Sequence, residues 1–166
     1  MPFLYYANVS VHVLAAMLWL GGMFFLGIVG APALRAVKPY ELRQQLFHDL
    51  GLRFRTAGWW AIGVLLATGA INLHFRGWLH WRGVLGAGEF WRSPSGRALG
   101  IKLAAVLAML VVSAIHDFLV GPQAGRARSG TPEARSLRRQ AMLLARVNAL
   151  LGIMVVVAAV RLARGG

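Results

Sequence analysis

The sequence predicts an all-α integral membrane protein, a four-transmembrane-helix up-down bundle with a short amphipathic inner helix, and three observations predict it. Hydrophobic residues make up 58% of the 166 positions and charged residues 14%, a membrane composition. Four apolar runs, at about 3–29, 56–75, 98–120 and 142–162, each approach the ~20 residues that cross a ~30 Å hydrocarbon core. Nearly all basic residues stand between or just beyond those runs. Backbone polar groups have no water to bond in lipid, so runs of this kind are read as helices, and by length they make a single transmembrane domain over 1–166.

The first run contains HVLAAMLWLGGMFFL, His12 to Leu26, and has no Asp, Glu, Lys or Arg from Phe3 to Val29. If Tyr5 and Tyr6 mark the headgroup level, His12 lies ~10 Å further in at ~1.5 Å per residue. An ionisable group at that depth serves a ligand, a cofactor or a proton path, or else is a neutral histidine hydrogen-bonded to a neighbouring helix. The first basic residue is Arg35, which does not suit a cleaved signal peptide, so this run is expected to persist as the first span.

Eleven Lys and Arg flank the first and third connections, and six lie on the other side of the spans. The imbalance places both termini outside a bacterial-type inner (plasma) membrane. The net charge of +13 is therefore directed at anionic headgroups rather than nucleic acid. In the first connection Pro39 suits a first helical turn, and Leu42, Leu46 and Leu50 recur every four residues, which predicts an amphipathic inner-surface helix leading into the second span. Its His48 is expected on the solvated surface. The second connection carries Trp78, Trp81, Phe90 and Trp91 among glycines and is expected to form a structured flap. The third, GPQAGRARSGTPEARSLRR, reads as a mobile inner loop, and no internal repeat is evident.

With the first and third spans running inward, His12, His74 and Lys102 fall in the outer half of the membrane, and His116 and Asp117 near the inner end. His74 closes a face of small residues, Gly63, Ala67 and Ala70, which suits close helix packing or leaves room for a flat macrocycle. Lys102 either snorkels to the headgroups or, desolvated, becomes a ligand or proton-transfer group. His116 and Asp117, with Arg146 and Asn148, suggest a polar clasp between the third and fourth spans. Met17, Met23, Met109 and Met154 are soft copper ligands by chemistry, although scattered membrane methionines mostly pack. No cysteine is present, so a haem would be held non-covalently. Catalytic residues are not identifiable: there is no Ser-His-Asp order, phosphate loop or acidic metal cluster.

His12 followed seven positions later by Trp19 resembles the first helix of the HemJ-type protoporphyrinogen oxidases and of the related copper-resistance D membrane proteins. ATGAINL in the second span and GIKLAAVL in the third are similar to the same families, so the resemblance covers the four-helix core. It implies a b-type haem with a first-helix histidine and a third-helix lysine, which map to His12 and Lys102. The copper-resistance D relatives imply copper uptake across the inner membrane. The tryptophan-rich second connection and HDFLVGP at the end of the third span depart from the HemJ pattern.

Three readings follow. The first is a haem b membrane cytochrome passing electrons, with a quinone or a redox partner protein, in which His12 and either His74 or Lys102 hold the iron. The second handles copper through His12 with methionines such as Met17 or Met109. The third is a non-catalytic subunit or assembly factor of a larger membrane complex. A homo-oligomer is compatible with each.

Overall fold

A computed structural model of the chain describes residues 2–79, 88–127 and 131–165. All regular structure among them is helical, and four helical stretches are long and apolar enough to cross a membrane: Phe3–Arg35, Tyr40–Phe75, Pro94–Arg126 and Pro132–Ala163. They contain the four predicted runs. The chain divides into two compact units, Met1–Gly86 and Ala87–Gly166.

In the first unit, helix α1 (Pro2–Phe25) continues through a π-helical turn, Leu26–Gly30, into α2 (Ala31–Arg35), and α3 (Tyr40–Phe75) follows. The widened turn has a sequence cause. Pro32 lacks an N–H and its ring crowds the carbonyl four residues earlier, so the preceding turn opens to a wider hydrogen-bond spacing. The pairs Asn8 with Asn72, His12 with Thr68, Trp19 with Gly58 and Gly22 with Phe54 set α1 and α3 antiparallel, because residue numbers rise on one helix as they fall on the other. The expected amphipathic helix is the first part of α3. It starts after Pro39, has Glu41 in its first turn against the helix dipole, and runs without interruption to Phe75. His48 is exposed there, as expected.

The second unit holds α4 (Gly88–Arg92), α5 (Pro94–Ala114), a second π turn at Ile115–Val120, α6 (Gly121–Arg126) and α7 (Pro132–Ala163). Again the π turn immediately precedes a proline-bearing helical turn, here with Pro122. Asn148 Nδ2 donates to Ser113 Oγ at 2.8 Å and Ser95 Oγ to the Gly165 carbonyl at 2.8 Å, so α5 and α7 are antiparallel. At the head of α5 the Ser93 Oγ accepts from Gly96 N–H at 3.0 Å, a cap that brings the end of α4 onto the first turn. A Cβ at Gly96 would stand 1.9 Å from the Phe90 carbonyl oxygen. Gly96→Ala is therefore expected to destabilise the protein by about 1–3 kcal/mol, measured by thermal unfolding in detergent, since backbone rather than a flexible side chain must move.

The third connection is not the loop its composition suggests. Thr131 Oγ1 accepts from Ala134 N–H at 3.2 Å, Pro132 occupies the first turn and Glu133 follows, and these starting signals extend α7 well before the apolar run. Residues 128–130 of that connection, and 80–87 with Trp81 of the expected flap, lie outside the described residues.

An internal repeat does exist. The succession of exposed, half-buried and buried side chains is the same over residues 11–20 and 101–110, which lie 90 positions apart. At that spacing His12 corresponds to Lys102, Ala15 to Ala105 and Trp19 to Met109 on the first helices. Gly58, Ile62 and Thr68 correspond to Asn148, Gly152 and Ala158 on the second, all six buried. Each unit is thus a helical hairpin with a π turn near the end of its first helix. Burial and backbone packing repeat, and Ala15–Ala105 and Pro32–Pro122 are identical, but most counterpart pairs differ in residue type, which is why the repeat is not visible in the sequence.

Candidate functional site

The α1 face that meets α3 carries Asn8, His12, Ala15 and Trp19 at helical spacing. Trp19 is 6% exposed, and its indole Cδ1 lies 3.7 Å from where a Cβ of Gly58 would be, which packs the ring against the α3 backbone at ordinary contact distance. Seven residues nearer the N-terminus, and so ~10 Å along the helix, stands His12. It is half-buried, with its Cε1 3.6 Å from the position of a Gly69 Cβ. Beyond it Asn8 Nδ2 donates to the Thr68 carbonyl at 3.0 Å and to Asn72 Oδ1 at 2.9 Å, and Tyr5 meets Phe75 edge to face at 5.7 Å. The imidazole therefore lies between an indole on one side and an amide pair on the other.

Hydrogen-bond accounting fixes which nitrogen of the ring donates to Thr68. Thr68, buried, places its Oγ1 2.6 Å from the Val64 carbonyl oxygen and 2.7 Å from His12 Nδ1. Two oxygens at 2.6 Å need a proton between them, and a carbonyl has none to give, so the hydroxyl donates to Val64. With its single proton used, Oγ1 can only accept, and His12 Nδ1 is the donor. When the ring is neutral, Nε2 is then its unprotonated nitrogen. A helix-borne hydroxyl bonded back to the carbonyl four residues earlier thus orients an imidazole on the next helix.

The other sequence-predicted groups are placed differently. His74 is exposed, and at ~100° per residue it lies about 120° around α3 from Thr68 and about 160° from Asn72. Gly63, Ala67 and Ala70, the small face it closes, are exposed as well, so that face does not pack in the α1–α3 contact. Met17 is 64% exposed and about 140° around α1 from His12, too far round to share a ligand with it. In the second unit Lys102 is half-buried on the α5 face that carries buried Ala98, Ala105 and Met109. The position corresponding to Thr68 is Ala158, which offers no side-chain hydroxyl. Of the residues expected to form a clasp, Asn148 bonds Ser113 between α5 and α7, and His116 Nδ1 and Asp117 Oδ1 pair with each other at 2.7 Å inside the π turn.

Sequence reasoning missed Asn8, Thr68, Asn72 and Ser113. Their signal was present, since a polar side chain inside a membrane run calls for a partner just as an ionisable one does. Among the described residues no group of three or more His, Cys, Asp or Glu could hold a metal ion. What the α1–α3 contact offers is an imidazole oriented through its Nδ1–H, the kind of support a ligating histidine receives.

The family model of copper resistance protein D matches residues 50–162, a stretch that includes Thr68, His74 and Lys102 and excludes His12. An uncharacterized protein of Aquifex aeolicus (strain VF5) is 32% identical over 114 residues, 68% of this chain and 68% of that protein. No solved structure matches.

Proposed function

The chain belongs to the copper resistance protein D family, and from that premise we propose that this multi-pass membrane protein binds a b-type haem and transfers electrons, and that His12 is a residue that would hold the haem, through Nε2. The observation that carries the reading is the relay from His12 Nδ1–H to Thr68 Oγ1 to the Val64 carbonyl, at 2.7 and 2.6 Å. A metal-ligating histidine requires this kind of partner on its other nitrogen, to fix the tautomer and raise the basicity of the ligating one. Bound haem would supply one-electron chemistry at iron. The residues of this chain hold and orient: Thr68 sets the imidazole, the ring packs against α3 at Gly69, and Asn8 with Asn72 closes the polar end of the contact. The reading places the protein in a bacterial-type inner membrane with both termini outside, exchanging electrons with a quinone or a redox partner protein.

A visible spectrum of the purified protein, taken before and after haem supplementation, is the test. A Soret band with low-spin features is expected, and absence of any band after supplementation overturns the reading. His74→Ala and Lys102→Ala are measured beside it: a high-spin, five-coordinate spectrum in either variant marks that residue as a ligand and an unchanged spectrum excludes it, and His74→Ala is expected to leave the spectrum unchanged because the helical phase of α3 turns His74 away from Thr68. The family description favours one competing reading, copper handling. Stoichiometric copper without haem on metal analysis would establish that reading instead, and would require ligands other than the His12–Met17 pair, which α1 holds apart.

A further inference from the structure

We propose that the α5–α7 groove of the second unit is a binding site for one anionic phospholipid, its phosphate held by Arg97 and Arg161. The groove has a volume of about 480 Å³, and both guanidiniums line it. Each belongs to the end of a spanning helix: Arg97 is in the first turn of α5 and Arg161 in the last turn of α7. From there the lining turns apolar. Ile101 lies one turn deeper on α5, Val157 and Met154 one and two turns deeper on α7, and buried Ala158 forms part of the floor. Along α7 the distance from Arg161 to Met154 is about 10 Å. Positive charge at headgroup level followed by an apolar trough running into the span has the shape and polarity of a phosphate with an acyl chain attached.

Two further observations favour an anion. Among the described residues, neither Arg97 nor Arg161 has a carboxylate within ion-pair distance, so no acidic side chain of this chain neutralises them. The hairpin architecture does not demand them either. At the 90-residue spacing the corresponding residues of the first unit are Ala7 and Ile71. The same helix-pair contact therefore carries the His12–Thr68–Val64 relay in one unit and a charged, open groove in the other. A phosphodiester accepts from two guanidiniums at once, and hydrogen bonds between charged groups are the stronger class. A neutral quinone head would leave both charges uncompensated.

The test is native mass spectrometry of the full-length protein in mild detergent with added dioleoyl phosphatidylglycerol, and with dioleoylglycerol as the phosphate-free counterpart. One phosphatidylglycerol per chain is expected to stay bound, and dioleoylglycerol to be lost. Arg97→Gln with Arg161→Gln should weaken retention about tenfold or more. Val157→Trp, which fills the trough from an exposed position and leaves both charges in place, should weaken it comparably. Arg135→Gln with Arg139→Gln, an equal loss of charge elsewhere on α7, should leave retention unchanged. Equal retention of dioleoylglycerol, wild-type retention by either groove variant, or an equal loss in the Arg135 and Arg139 variant would overturn the site. If the double arginine variant fails to fold, Val157→Trp against wild type still decides.

Discussion

Replacing His12 by Ala is expected to leave a normally inserted protein with almost no haem. The span around it becomes more apolar, so insertion is favoured rather than impaired. The Thr68 hydroxyl keeps its bond to the Val64 carbonyl, so the substitution strands no buried donor on α3. What disappears is the imidazole that Thr68 orients in the α1–α3 contact. Loss of a hydrogen-bond partner to a metal ligand costs about 10–100-fold in affinity, and loss of the ligand itself should exceed that range. Soret absorbance per protein is the readout, and free imidazole added to the variant should restore part of it by occupying the space left behind. His48→Ala, at an exposed position of α3, should leave the spectrum at wild type. A full, unshifted spectrum in the His12→Ala protein at normal expression would refute the assignment and make His116 the next residue to substitute.

The four spans were legible because their cause is local: a charge-free run of sufficient length has no option in lipid but to close its own hydrogen bonds. The connections were harder. Gly, Pro and Arg between 121 and 139 read as loop by composition, yet Thr131, Pro132 and Glu133 are in the order that starts a helix, and the capping bond to Ala134 shows that order prevailed. The start of α3 was read correctly from Pro39 and the leucine spacing, and its uninterrupted passage into the span follows from the absence of any proline between Tyr40 and Phe75. The two hairpins escaped notice for another reason. A counterpart pair such as Trp19 and Met109, or Gly58 and Asn148, shares a buried place and no chemistry.

At the candidate site the same division appears. His12 stood out because an ionisable group in an apolar run is rare, a property of one position. Thr68 did not, because threonine is common in membrane helices and matters here only through the register of α1 on α3. That register is set by packing: Trp19 over Gly58, and Phe54 against Gly22, where a Cβ would come 2.5 Å from the ring. Slide one helix by a turn and the imidazole no longer faces the hydroxyl. His74 illustrates the converse error. Its depth matched that of His12 in the sequence, but depth fixes only one coordinate, and the helical phase sends it to a different side of α3 from Thr68.

Thr68→Val isolates this relay, because it exchanges a hydroxyl for a methyl at nearly constant volume. In the variant His12 Nδ1–H loses its acceptor, and the ring is released to rotate or to move its proton to Nε2, the nitrogen that must stay unprotonated to bind iron. Haem affinity is expected to fall about 10–100-fold, read from haem titration and from the rate of haem transfer to an excess of an apo-globin acceptor. The helix itself should tolerate the change, since a threonine bonded to its own i−4 carbonyl gives α3 little or no stability. Thr68→Ser restores the hydroxyl and should return affinity to within about threefold of wild type, a rescue that a merely structural role for the methyl group would not produce. If Thr68→Val kept wild-type affinity while His12→Ala lost haem, the ligand would stand and the tautomer argument would fall. If both variants kept it, the α1–α3 contact would be a packing seam, and a haem site would have to be sought away from it.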